Sequence, residues 1–312
     1  MTIEPAQVSA CIVSWNVRED LLGCLESLRA GVGDIRAEII LVDNASTDGT
    51  VEAVRQRFPH VKLIANETNR GFAPASNQAL AVASGELLLL LNPDTLLSPG
   101  ALAELYRFAC EHAEAGIIGP KLANPDGSLQ ASCRRFPTPI AALFRHTLLG
   151  RLFPRNRWSA EYVMADWDHT EPREVDWVSG ACLLIRRDLY EAIGPLDEGF
   201  FWGSEDVDYC FRAHQAGRKV LYTPTPVIVH KVGASTNHVP IPTFLRFHRS
   251  MHRLYRKHFA RNAFEAALIS AGIAARAGLF IGSWWLRQAI GRIRAVFARR
   301  RKPRQVSVGG GG

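Results

Sequence analysis

The chain lacks several motifs that mark common nucleotide and metal sites. No C-x-x-C pair occurs among its six cysteines, Cys11, Cys24, Cys110, Cys133, Cys182 and Cys210. Several of them sit on apolar faces, so they are expected to be reduced core residues of a cytosolic protein, not zinc ligands or disulfides. No G-x-G-x-x-G follows the first predicted strand. Ser14-Trp15-Asn16 stands there instead, which rejects a Rossmann dinucleotide site, and the P-loop pattern is absent too. No secretory signal is expected, because residues 1–7 have no basic region and Cys11-Ile12-Val13 reads as strand. The body also lacks excess charge. The formal net charge is +7, but eight basic residues and no acids lie between Arg287 and Arg304, and taking those eight away leaves the body at −1. That balance argues against nucleic-acid binding and for a local electrostatic contact made by the tail.

The 312 residues, 47% of them hydrophobic, suffice for one large α/β domain with an appendage. The central stretch is Gly85-Glu86 followed by Leu87 to Leu91 and Asn92-Pro93-Asp94. Five consecutive leucines fit neither a half-wet strand nor an amphipathic helix, so the run reads as a strand buried on both faces of a parallel sheet. Ligands of open α/β sheets bind outside the carboxyl ends of the strands. Asp94 is therefore placed to hold a divalent metal against a phosphate, or simply to open the next turn.

Before that run, strands are expected at Ser9 to Trp15, Glu38 to Val42 (ending in Asp43) and Val61 to Ala65. Helices alternate with them, and the short connections favour a parallel sheet wound with helices. Ser98-Pro99 predicts a helix start, with the helix running to about His112. The pattern weakens from Pro137 to Pro172, an excursion of the kind that covers a site. Val178 to Ile185 reads as one strand, with Gly180 and Ala181 where something approaches closely. Ser204 is expected to cap a helix with Glu205, Asp206 and Asp208 in its first turn. Strands at Lys219 to Thr223 and Val227 to His230 follow.

In order, Ile12 to Asn16, Val42 to Thr50, Asn69-Arg70-Gly71-Phe72, Asn92-Pro93-Asp94, Gly180-Ala181, Trp202 to Asp208 and His230 resemble an inverting, metal-dependent glycosyltransferase of family 2, most closely its rhamnosyltransferase-like branch. The resemblance spans roughly Ser9 to His258. It implies a GT-A (nucleotide-diphospho-sugar transferase) fold, α/β with a doubly wound, mostly parallel sheet and a C-terminal helical appendage. It implies nucleotide-sugar binding by Ser14, Asn16, Asp43, Asn44, Asn77 and Asn92, with Asp43 on the base. Asp94 and His230 would hold Mg²⁺ or Mn²⁺. Asn92 replaces the first acid of the family's D-x-D motif, and Ser76 lies near a position where many relatives carry a diphosphate-binding Arg. Asp206 would be the general base and Glu205 an acceptor-hydroxyl ligand. Gly180, Trp177 and Trp202 would meet acceptor or sugar, although either tryptophan could equally be core.

The expected organisation is a catalytic domain over 1–243, with a nucleotide half near 8–120 and an acceptor half near 121–243. A helical, basic appendage over 244–304 and a disordered tail over 305–312 follow. Residues 266–286, weakly apolar and interrupted by Arg276, read as a helix lying on an anionic membrane surface, or as a hairpin packed on the catalytic domain. The favoured reaction moves L-rhamnose from dTDP-L-rhamnose to a polyprenyl-diphosphate-linked saccharide in cell-wall or surface-polysaccharide synthesis, at the cytoplasmic face of the membrane. The alternatives are a UDP-hexose or UDP-N-acetylhexosamine donor, or a degenerate chain that binds nucleotide-sugar or membrane without catalysis.

Overall fold

The computed structural model describes residues 6–144, 148–231, 240–260 and parts of 262–285. The first half alternates β1 (Val8–Ser14), α1 (Arg18–Gly31), β2 (Ala37–Asp43), α2 (Thr50–Arg57), β3 (Lys62–Ala65), α3 (Phe72–Val82) and β4 (Leu87–Leu91). Then come β5 (Thr95–Leu97), α4 (Ala101–Glu111), β6 (Ala115–Ala123), β7 (Leu129–Gln130), β8 (Cys133–Arg134) and three short helices, α5 (Pro139–Phe144), α6 (Leu148–Leu152) and α7 (Arg157–Tyr162). The second half holds β9 (Arg173–Glu174), β10 (Trp177–Val178), β11 (Cys182–Arg186), α8 (Arg187–Ile193), α9 (Glu205–Gln215), β12 (Lys219–His230) and α10 (Pro240–Leu254).

The main sheet has the order β3-β2-β1-β4-β11-β6-β12-β5. Its first four strands are parallel, as the short βα repeats require. β11 then enters antiparallel to both β4 and β6. The leucine run lies at the centre and feeds both faces. Leu87, Leu89 and Leu91 join the layer containing Leu21, Leu25 and Leu105, while Leu88 and Leu90 join the layer containing Ala75, Ala79, Tyr209 and Cys210. Each such buried leucine stabilises the fold by roughly 1.5–3 kcal/mol relative to exposure. Alanines at 73, 75 and 79 let α3 approach the sheet closely.

Several boundaries depart from the sequence reading. α4 begins at Ala101, not Pro99, because Gly100 adopts φ 76° and Ser98 and Pro99 belong to the preceding turn. Thr95–Leu97 is extended because it pairs with the end of β12. The expected strand over Val178 to Ile185 is broken by a bend at Ser179 to Ala181, which separates β10 from β11. Lys219–His230 is one strand, with a register shift between Thr223 and Val227 that takes up the prolines. Ser204 does not cap α9 with its side chain. It sits in the left-handed region at φ 73°.

The chain divides into a compact unit over Met1–Arg261 and a second over Asn262–Gly312, so α10 belongs with the sheet and the boundary falls at 261, not 243. The physical reason is that Leu254 and Tyr255 are buried and Ser250 Oγ donates to the Trp202 carbonyl at 3.0 Å. Arg276, Leu279 to Ile281, Trp284 and everything from 286 onward lie outside the described residues, and with them most of the membrane-helix reading and the tail. Among the described residues no helix is long and apolar enough to cross a membrane.

Candidate active site

Register brings the first functional side chains together. Ser14 pairs with Asp43 across β1 and β2, and Ile12 pairs with Leu91, so these three strands end at one rim. Asp43 is 1% exposed, and its Oδ2 accepts the Ser46 N–H at 2.8 Å. Its Oδ1 and the nearby Ser14 Oγ are buried without a partner. Buried polar atoms are nearly always paired, so these two, side by side at a strand end, are open to a partner from outside the chain. Asn16, left-handed at φ 52°, accepts the Thr47 N–H at 2.8 Å and ties the loop after β1 to the loop after β2.

Two asparagines expected on the nucleotide are already committed to the protein. Asn44 donates to Asn69 Oδ1 and the Gly71 carbonyl, and accepts from Asn66 Nδ2 and the Arg70 N–H. Asn77 is bonded through both ends of its amide to the backbone of Leu196, and also donates to Glu198. Both hold loops rather than present free groups. Ser76 Oγ beside it is buried and unpartnered.

At the end of β4, the Asn92 N–H donates to the Ala181 carbonyl at 2.9 Å. β12 returns antiparallel to β5, with His230 opposite Thr95, and the Lys231 N–H donates to the Asp94 carbonyl at 2.9 Å. His230 Nε2 therefore lies 3.3 Å from Asp94 Oδ1 and 3.3 Å from Asn92 Nδ2. The tautomer follows from Gln130, a residue the sequence reading missed. Its Nε2 donates to Asn124 Oδ1 and to the His230 carbonyl, so its Oε1 must be the atom 2.7 Å from His230 Nδ1. Nδ1 then carries a proton, which turns Nε2 toward Asp94 and Asn92. Two ligands at right angles on a small divalent ion stand about 3 Å apart, so Asp94 and His230 fit such an ion. Among the described residues no three His, Cys, Asp or Glu converge on a metal. A donor diphosphate would have to complete the shell, as is usual for Mg²⁺ at phosphate sites.

The bend between β10 and β11 carries the site toward α9. The Gly180 N–H donates to Asp206 Oδ2 at 3.0 Å and the Val207 N–H to Oδ1 at 2.8 Å. Gly203 and Ser204, both left-handed, turn the chain into α9, which Glu205 and Asp206 open. Burial, and then the charge of Asp206, push the Glu205 carboxyl up to about 8, and its Oε2 has no partner. Burial also raises Asp206, against the lowering effect of its two N–H donors. Desolvation outweighs both these donors and the helix start here. A raised carboxylate is the stronger base. Asp208 is fully buried. Burial would raise it, but His258, Lys257 and Arg212 hold it below its usual range and make it a pin between α9 and the residues after α10.

Trp177 is 8% exposed, donates its indole N–H to the Arg135 carbonyl and packs in the core, the second of the two roles the sequence left open for it. Trp202 is partly exposed, with its ring 6.0 Å from Phe247.

Comparison with known proteins places the chain in a family. The family model described as glycosyl transferase family 2 matches residues 9–194. An N-acetylglucosaminyl-diphospho-decaprenol L-rhamnosyltransferase of Mycobacterium tuberculosis is 35% identical over 224 residues, covering 68% of this chain and 72% of that protein. In fold, the chain resembles the mannosyltransferase PcManGT of Pyrobaculum calidifontis, solved with GDP-Man and Mn²⁺, at TM-score 0.54 and 20% identity over 95% of this chain and 81% of that one. It also resembles GalNAc-T7, solved with UDP, GalNAc and Mn²⁺, at TM-score 0.52 and 20% identity over 73% of this chain and 44% of that one. The fold is GT-A, and the chain belongs to glycosyl transferase family 2 as a rhamnosyltransferase-like glycosyltransferase.

Proposed function

We propose that this enzyme transfers L-rhamnose from dTDP-L-rhamnose, with inversion, to a hydroxyl of a polyprenyl-diphosphate-linked saccharide in cell-wall or surface-polysaccharide synthesis. The observation that carries the donor and acceptor is the 35% identity to the mycobacterial rhamnosyltransferase. The reaction itself rests on the rim that joins Asp43, Asp94, His230 and Asp206. Asp43 Oδ1 and Ser14 Oγ would take the base of the donor, which satisfies their orphaned atoms. Asp94 and His230 would hold Mg²⁺ or Mn²⁺, which neutralises the departing diphosphate. Asp206 accepts the acceptor's hydroxyl proton as the oxygen attacks the anomeric carbon from the face opposite the nucleotide, the geometry that inversion needs. The Gly180 and Val207 N–H groups fix that carboxylate and cannot themselves take the proton. Glu205, largely protonated near neutrality, can donate a hydrogen bond to the same acceptor. The enzyme would work at the cytoplasmic face of the membrane, peripherally attached.

A thermal-shift panel tests the donor. dTDP, UDP and GDP are each added with and without Mn²⁺. At a hundred times its dissociation constant a native-state ligand adds about 2.7 kcal/mol to stability. A metal-dependent rise confined to dTDP, followed by rhamnosyl transfer to a diphosphate-linked N-acetylglucosamine acceptor, is expected. A rise confined to UDP replaces the donor, and no rise with any nucleotide refutes the assignment of Asp43.

A further inference from the structure

α10 and the residues just after it carry Arg246, Arg249, Arg253 and Arg256, spaced three, four and three apart, which is one helical face. With Lys257 this face lines a groove of about 870 Å³ against the loop at Glu198 to Phe201. Two of the cations are occupied. Arg253 makes a two-point contact with Asp197, and Lys257 bridges Asp197 and Asp208. That bridging anchors the groove to α9. The remaining three, Arg246, Arg249 and Arg256, face no carboxylate among the described residues, and Arg246 lies 4.1 Å over the Phe201 ring. Glu198 is the single acid in the lining, and it already accepts from Asn77. Unpaired guanidinium groups around one groove repel each other until an anion arrives, and guanidinium matches phosphate oxygens in pairs.

The groove is tied to the chemistry by a short piece of chain. Phe201 lines it and Asp206 holds the base position, so their Cα atoms are at most about 18 Å apart, and less through two left-handed residues. Trp202 lies between them in sequence and Gly203 abuts Phe247 of α10. We propose that this groove binds the diphosphate of the lipid-linked acceptor, with the acceptor's first sugar over Trp202 and its hydroxyl at Asp206. The proposal rests on the acceptor class given above. The site differs from the donor's diphosphate position at Asp94 and His230, and it separates lipid-linked saccharides from free ones.

The test uses the full chain with Arg249 and Arg256 changed together, first to Gln and then to Glu, and Arg55→Glu on α2 as a charge control. The probe is a short, water-soluble alkyl diphosphate carrying one N-acetylglucosamine, compared with the same alkyl glycoside lacking the diphosphate. Titration should show the dissociation constant of the diphosphate probe rising about 10- to 100-fold in the Gln pair and further in the Glu pair. The preference for the diphosphate over the plain glycoside should collapse in parallel, while Arg55→Glu behaves as wild type. An unchanged dissociation constant in both pairs overturns the proposal. So does a loss confined to vesicles of phosphatidylglycerol and phosphatidylcholine with the soluble probe unaffected, since the groove would then read bilayer headgroups. If wild type binds the probe through these arginines but transfers no sugar from any donor, the groove stands and the functional reading fails.

Discussion

Asp206 offers the sharpest test, because its carboxylate is held by the structure and is also the proposed proton acceptor. Oδ1 and Oδ2 each accept one backbone N–H, from Val207 at 2.8 Å and Gly180 at 3.0 Å. In Asp206→Asn one of those oxygens becomes an NH₂ that faces an N–H donor. One hydrogen bond is lost and one backbone donor is left unpaired, at about 1–3 kcal/mol. Set against that, the substitution removes the neighbouring charge that helps raise Glu205, which recovers part of the loss. The net effect is therefore a modest destabilisation, about 1 kcal/mol. Transfer should fall by roughly 10²- to 10⁴-fold, the range for loss of a positioned general base. The assay is single-turnover transfer to a diphosphate-linked acceptor, with dTDP binding measured beside it by thermal shift. Donor binding should persist, since the orphaned Asp43 and Ser14 atoms that would receive the base are on other strands. Turnover within tenfold of wild type would refute the base assignment. Loss of dTDP binding together with turnover would show that the residue shapes the donor pocket.

Glu205→Gln should flatten the pH dependence of stability. The Glu205 carboxyl moves from 4.5 to about 8 on folding, so the folded state holds a proton that the unfolded state releases. Stability is full below about 4.5 and falls as pH rises toward 8, by on the order of 4–5 kcal/mol. Urea titrations at pH 5 and pH 8.5 should show this loss in wild type and little of it in the variant. Gln130→Leu should weaken Mn²⁺ binding in the presence of dTDP by about 10- to 100-fold, read by the manganese EPR signal, through release of the His230 tautomer. Asn44→Ala should lower stability by roughly 2–4 kcal/mol in a urea titration, as it removes four hydrogen bonds that hold the loops after β2 and β3. Gly71→Ala should be destabilising too, since a Cβ there would stand 2.8 Å from the Phe201 carbonyl at a φ of 92°.

Much of this architecture is readable in the chain, because it depends on local pattern. The unbroken leucine run can only be a strand covered on both faces, and Asp43 and Asn92 to Asp94 mark the rim because they end apolar runs. What escapes the sequence is long-range pairing. Gln130 meets His230 across 100 residues, and nothing near Gln130 announces it. Asn44 and Asn77 look like ligand residues because amides suit nucleotides, but amides suit backbone and other side chains equally well, and here both kinds of protein group bond them. The break at Ser179 to Ala181 was hidden because its small residues also fit a strand. The Ser204 conformation was hidden because Ser is a good capping residue and its left-handed backbone is set by the turn before it.

The hydrogen bonds from Asn92 to Ala181 and from Gly180 to Asp206 have a consequence for how such enzymes diversify. They tie the strand end beside Asp94 and His230 to the Asp206 carboxylate through the main chain of residues 180 and 181, so the spacing between the proposed metal pair and the proposed base is set largely by backbone. The arginine face of α10 and the short helices of residues 139–162 lie outside that frame. An ancestral catalyst of this design could have its clientele rewritten by recombination or drift in those segments while the transfer step passed unaltered from one descendant to the next.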